Sequence, residues 1–193
     1  MATVARSVDT VDAGCVALTY DDGPHPAITP RLLDVLRDVE ARATFFVIGE
    51  RAVAHSEIVR RMVEDGHSVG THSMHHRDLR GASTAVVRAE VNDGRRAVED
   101  IVGRPVPLFR PPQGRLSTSS ALVLRAPQWQ TRLWTTDSYD WKTGATSDSV
   151  VEHASRVEDG GIVLLHDTYE PTLEASRLLV ERLRARGLQL VVL

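Results

Sequence analysis

Short apolar runs alternate along this chain with longer segments in which apolar residues recur every three or four positions. The first run, CVALTY at 15–20, is bounded by turn formers and predicts a buried strand. In ITPRLLDVLRDVE at 28–40, residues Leu32, Leu33, Val35, Leu36 and Val39 fall near helical spacing. There Thr29 before Pro30 predicts an N-cap followed by the first helical residue. ATFFVIG (43–49) predicts a second strand, and SEIVRRMVEDG (56–66) a helix with Ser56 as cap and Gly66 as stop. HSVGTHS holds another short strand. The span 84–103 carries a long helical pattern weakened by Gly94. PLFRPP, TRLWTTDS, GIVLLHD and LQLVVL predict the remaining strands, with helices over SDSVVEHASRV and PTLEASRLLVERLRARG.

Repeated strand–helix units predict an α/β fold: one domain over residues 1–193, with about seven parallel strands covered by helices. Such a sheet can curl into a (β/α) barrel. At 193 residues the chain is shorter than the ~250 of a complete (β/α)8 barrel, so closure should be incomplete. In these architectures chemistry collects where strands end. Asp21-Asp22, His72, Arg110, Asp137 to Asp140 and His166 each follow a predicted strand and would converge on one rim. A single such residue is more often a solvated loop charge. Five strand ends together point to a site.

Composition narrows the classes. The formal net charge of −3 leaves no basic footprint for nucleic acid. The longest apolar runs are far shorter than the ~20 residues of a membrane span. MATVARSVDT lacks the apolar stretch of a signal peptide, so the expectation is a cytoplasmic protein or a trimmed mature chain. One cysteine, Cys15, excludes an internal disulfide or a thiolate metal cluster.

Three of the eight histidines fall within positions 72–76. His72 and His76 stand four apart, a spacing that presents both rings on one face of a helical turn. Two imidazoles, one carboxylate and open water positions suit Zn²⁺ or a similar divalent cation in a catalytic site. Asp21 or Asp22 supplies the carboxylate, and a cation would also relieve the repulsion between those neighbours. His75 reads as a second-layer or substrate-side residue. His25, His55, His67 and His153 read as structural or surface groups, with His25 nearest the site.

These residues resemble the polysaccharide deacetylases of carbohydrate esterase family four, the NodB-homology domain. TYDDGP is similar to the family's TFDDGP, HSMHH to H-[ST]-x-x-H, RPPQG to RPPYG, DSYDW to D-x-x-D-W and LLH to L-x-H, in the family's order from Thr19 to His166. The resemblance implies a distorted (β/α) barrel and metal-dependent removal of acetyl groups, usually from N-acetylated amino sugars. It implies that Asp22, His72 and His76 hold the cation, Zn²⁺ foremost with Co²⁺ or Ni²⁺ as alternatives. It makes Asp21 the general base, paired with Arg110, and His166 the general acid, oriented by Asp140. The Gln113 backbone N–H would stabilise the oxyanion. Leu164, Trp141 and Pro112 would line the substrate pocket. The expected partner is an acetylated glycan or amino sugar, met by a monomer.

Two positions depart from the family pattern. Gln113 stands for tyrosine, which alters the wall against the sugar, and Tyr20 stands for phenylalanine, whose added hydroxyl needs a partner if buried. Trp134 and Trp141 would flank the site, with Trp129 in the core or on the surface. Competing readings are an O-acetyl esterase acting on acetylxylan and an amidohydrolase of a small, non-polymeric substrate. A non-catalytic glycan-binding module is the reading from another class. It would be marked by loss of Asp21 or His166, and both are present.

Overall fold

The protein is described here by a computed structural model covering residues 4–5 and 14–193. In chain order the first elements are β1 (Val4–Ala5), β2 (Cys15–Asp21), α1 (Thr29–Asp38), β3 (Thr44–Val47), α2 (Gly49–Ala54), α3 (Ser56–Glu64), β4 (Ser68–Thr71) and α4 (Thr84–Val102). Then come β5 (Leu108–Phe109), α5 (Thr118–Leu124), β6 (Gln130–Arg132), β7 (Thr136–Asp137), α6 (Ser147–Ala154), β8 (Gly161–His166), α7 (Pro171–Ala185) and β9 (Gln189–Leu190). Of the N-terminal stretch read for export, all but Val4–Ala5 lies outside the described residues.

Every strand pairing is parallel, in the order β1-β6-β5-β4-β3-β2-β8-β7, with β9 added beside β2. The run from β6 to β7 contains seven parallel strands, the expected number though not the expected seven segments; β1 and β9 are two-residue additions. Strand β2 is buried at all seven positions, as a central parallel strand covered on both faces must be. Its Val16, Leu18 and Tyr20 join Leu32, Leu36, Leu179 and Leu183 of the covering helices in the main core.

TRLWTTDS is two short strands rather than one. β6 pairs with β5 near one end of the sheet, and β7 pairs with β8 at the other. Only residues 133–135 separate them, a span of roughly 13–14 Å at full extension. The sheet must therefore curl until its ends nearly meet, and no ladder joins β6 to β7 among the described residues. This is an incompletely closed (β/α) barrel.

Other expectations shift locally. LQLVVL contributes only Gln189–Leu190 as strand, because β3 already occupies the same edge of β2 from Thr19 onward and leaves Cys15 and Val16. The rest of that run crosses beneath the barrel, where Leu193 bonds Thr44 and Ser68. Thr29 is not a cap. Its Oγ1 donates to the Asp167 carboxylate at 2.7 Å and accepts from the His25 N–H. Ser56 is the first residue of α3, and His55 precedes it without a capping bond. Gly66 ends that helix at φ +83° as expected. Helix α4 runs unbroken through Gly94.

Candidate active site

Parallel strands put all their C-terminal ends on one rim, and the register then decides which ends touch. Asp21 and His166, the last residues of β2 and β8, are direct partners across the ladder. Thr71 pairs with Phe109, so His72 and Arg110 leave β4 and β5 side by side. Asp137 pairs with Leu164. The five expected strand ends therefore meet.

Arg110 is fully buried. Its Nη1 donates to Asp21 Oδ1 at 2.6 Å and to Thr19 Oγ1 at 2.7 Å, while Nη2 and Nε reach the carbonyls of Leu133 and Arg132. One side chain thus pairs with the acid and ties the end of β6 and the residue after it to β2. The guanidinium also lies 4.1 Å from the Phe46 ring centre. Burial pushes the Asp21 carboxyl above its usual range, against the opposing pull of Arg110, His166 and His76. Burial likewise lowers Arg110. The 2.6 Å contact is a charge-assisted pair, and a cation held beside Asp21 would draw its carboxyl back down.

Asp22 points elsewhere. Its Oδ1 lies 3.5 Å from His72 Nε2 and 3.3 Å from His76 Nε2, and it is a buried oxygen with no hydrogen-bond partner. The three ligand-type atoms lie within 4.8 Å of one another. The His72 Nδ1–H donates to the Arg110 carbonyl at 2.7 Å, which fixes the tautomer and turns the Nε2 lone pair toward Asp22. Burial drives His72 down to about 3, so its imidazole is neutral at ordinary pH. An orphaned carboxylate oxygen beside a neutral imidazole and a second histidine fits a divalent cation in chemistry and in spacing. The H-x-x-x-H segment is not the helical turn expected from its spacing. It is a loop in which Ser73 and His76 have φ of 65° and 54°, and that geometry brings the rings to 4.8 Å.

His166 sits on the opposite side. Its Nδ1 contacts Asp140 Oδ1 at 2.7 Å, and its N–H donates to Asp140 Oδ2. Burial alone would lower it. The hydrogen bond and charge of Asp140, with Asp21 and Asp22, outweigh burial and hold it at about 9. Thr172 of α7 donates a further bond to Asp140 at 2.8 Å. The Tyr20 hydroxyl finds its partner in Ser176 at 2.8 Å, one turn along the same helix.

Asp21, Asp22, His72, His76 and His166 floor one cavity of about 390 Å³. Leu164, Trp141 and Gln113 line it as expected, together with Trp134, Asp137, Arg115 and Tyr169. Pro112 is buried and is not among the lining residues; the turn it begins presents Gln113 at φ 57° instead. His75 faces away from the cavity toward Glu90. The His25 ring accepts from the Ala27 and Ile28 N–H groups, and His67 accepts from that of Ala43. Trp129 packs in the core against Phe109.

Six non-glycine residues have positive φ among the described residues. Five of them (Asp22, Ser73, His76, Gln113 and Tyr139) belong to the loops of this cavity. Backbone strain of this kind persists only where surrounding structure imposes it, and it gathers at functional sites.

A family model described as polysaccharide deacetylase matches residues 9–131. The chain belongs to the polysaccharide deacetylase family. It is 34% identical over 185 residues to a peptidoglycan-N-acetylmuramic acid deacetylase of Bacillus subtilis, covering 95% of this chain but 39% of that protein. It is 33% identical to a chitooligosaccharide deacetylase of Azorhizobium caulinodans, covering 94% and 93%. A solved structure from Bacillus anthracis superimposes with a TM-score of 0.90 at 25% identity, covering 98% of this chain and 67% of that one. It is a carbohydrate esterase family four pseudoenzyme. Family membership and fold therefore leave activity to be argued from the side chains in the cavity. No helix among the described residues is long and apolar enough to cross a membrane.

Proposed function

We propose that this protein hydrolyses the acetamide of an N-acetylated amino sugar within a glycan, using a divalent cation held by Asp22, His72 and His76. The donor set, one carboxylate and two imidazoles, favours Zn²⁺. When bound, such a cation acidifies water and polarises an acyl oxygen. The observation that carries the reading is the division of labour between two adjacent acids. Asp22 offers an orphaned oxygen to the cation site, whereas Asp21 is tied to Arg110 and keeps its other oxygen free.

Asp21 Oδ2 faces the cation-binding side, 3.7 Å from His72 Nε2, and serves as the general base that takes a proton from the attacking water. His166 has its Nδ1 committed to Asp140, so its Nε2–H is the proton delivered to the departing amine as the C–N bond breaks. Acetate and a free amine leave. Gln113 sits on the wall where its backbone N–H stabilises the oxyanion. Leu164 and Trp141 form the apolar surface for the acetyl methyl. The peptidoglycan and chitooligosaccharide activities of the two relatives make both glycan types candidate substrates.

Zn²⁺-loaded protein is incubated with chitooligosaccharides, peptidoglycan fragments, acetylxylan and a free acetylated amino sugar, and each is read by mass spectrometry. Acetate release from an N-acetylated glycan that stops on chelation supports the proposal. Turnover of acetylxylan alone would replace it with the esterase reading, and turnover of none would remove the catalytic assignment.

A further inference from the structure

We infer that Glu90 of α4 is a positioning residue for cation capture: it clamps the loop that carries His72 and His76 without touching the cavity itself. The inference rests on the metal site proposed above.

Glu90 is 4% exposed and lies on the buried stripe of α4 with Val87, Val91, Gly94 and Val98. A carboxylate taken out of water needs charged or hydrogen-bonding partners, and those of Glu90 come from the loop. The His75 N–H donates to Oε2 at 2.9 Å, the His75 ring Nδ1 meets Oε1 at 2.9 Å, and Arg77 Nε reaches Oε1 at 3.2 Å. The main chain adds a fourth tie, from the Met74 N–H to the Glu90 carbonyl at 2.9 Å. One turn further on, Gly94 lets the helix approach the loop. A Cβ there would stand 2.7 Å from the Ser73 carbonyl carbon, too close for any side chain.

The two candidate ligands are not held alike. His72 emerges from β4 and is fixed by the Arg110 carbonyl. His76 depends on the loop, through its N–H bond to Ser73 Oγ at 3.0 Å and a left-handed backbone at φ 54°. Such a conformation relaxes unless it is held from outside. Glu90 grips the residues on either side of that requirement, so loosening it should disperse the His76 ring and weaken the cation site.

The test is Zn²⁺ affinity of the metal-free full chain, measured by competition with a chromogenic chelator, for the parent, Glu90→Gln and His75→Ala. Second-layer partners typically set metal affinity by about 10–100-fold, and that is the loss expected for Glu90→Gln. A smaller loss is expected for His75→Ala, with substrate KM at saturating Zn²⁺ unchanged. A folded Glu90→Gln that binds Zn²⁺ like the parent overturns the clamp, even if it melts earlier. Should Glu90→Gln fail to fold, the partly exposed His75→Ala decides: unchanged Zn²⁺ affinity overturns the clamp, and weakened affinity supports it. A raised KM for His75→Ala with unchanged Zn²⁺ affinity would make His75 a substrate contact and overturn it as well. A parent that binds no Zn²⁺, Co²⁺ or Ni²⁺ removes the metal reading and the clamp together, whereas equal binding by parent and variants removes the clamp alone.

Discussion

Asp21 on the cavity floor is 2% exposed and locked to a buried arginine, whereas Trp141 on the rim is 46% exposed and held by an indole bond of 3.3 Å to Asp137. The floor is carried by paired strand ends and their hydrogen bonds, except that His76 comes from a loop and Asp22 leaves one oxygen without a hydrogen-bond partner. The rim is carried by turns: Gln113 follows a buried proline, Arg115 bonds its neighbour Gln113, and Tyr169 lies in the loop before α7. Groups that must be placed to fractions of an ångström sit where strand register and burial fix them. In the proposed function, the groups that would contact the rest of the substrate sit where the chain tolerates change.

Substitutions on the floor should alter chemistry or stability, and substitutions on the rim should alter substrate affinity. The largest effect belongs to Asp21→Asn, expected to lower kcat by about 10²–10⁴-fold with Zn²⁺ affinity retained. Steady-state kinetics and metal competition check the two halves separately, and activity near the parent's would take the general-base role from Asp21. Arg110→Met should follow, because it strands the Asp21 carboxylate in the interior and removes the donor to the Arg132 and Leu133 carbonyls. The expected destabilisation is roughly 3–5 kcal/mol by denaturant unfolding.

Asp140→Asn comes third, and its signature is a shift along the pH axis. Burial lowers the proton affinity of His166, while Asp140 and the nearby acids raise it further, to about 9 against 6.5 for a free imidazole. A raised folded value stabilises the protein fully below the unfolded pKa and loses that contribution as pH rises through the folded one. The stability gap between parent and Asp140→Asn should therefore be widest below about pH 6.5 and should close by about pH 9. In the same variant the alkaline limb of kcat should move to lower pH. A limb that stays in place would mean that another group is the acid. The smallest effect is expected on the rim: Trp141→Ala should cost about 0.5–1.5 kcal/mol, roughly two- to tenfold in KM, with kcat nearly unchanged. A larger fall in kcat than in affinity would dissolve the distinction between floor and rim.

The site was more legible in the sequence than the connections around it. Strands such as CVALTY and GIVLL announce themselves because both faces of a parallel strand are buried, and Asp21, His72, Arg110 and His166 follow directly at their ends. Glu90 left a fainter signal, a charge on the apolar stripe of an amphipathic helix. Asp167 directly follows His166. It is fully buried against Gly23, where a Cβ would meet its carboxylate, and burial lifts it to about 7 despite the Thr29 bond. Thr172 gave no local sign, because its bond to Asp140 spans 32 positions of chain.

The sequence by itself determined the alternation of strands and helices, the parallel sheet and the identity of the acids and histidines at its rim, since hydrophobic period and strand-end position are local properties of a chain. The tertiary structure decided how those groups divide the chemistry. Register set Asp21 against His166, Arg110 reached from the end of β5 to claim Asp21, and left-handed residues turned His72 and His76 onto Asp22. Each of these depends on contacts between segments distant in sequence, which no local pattern encodes.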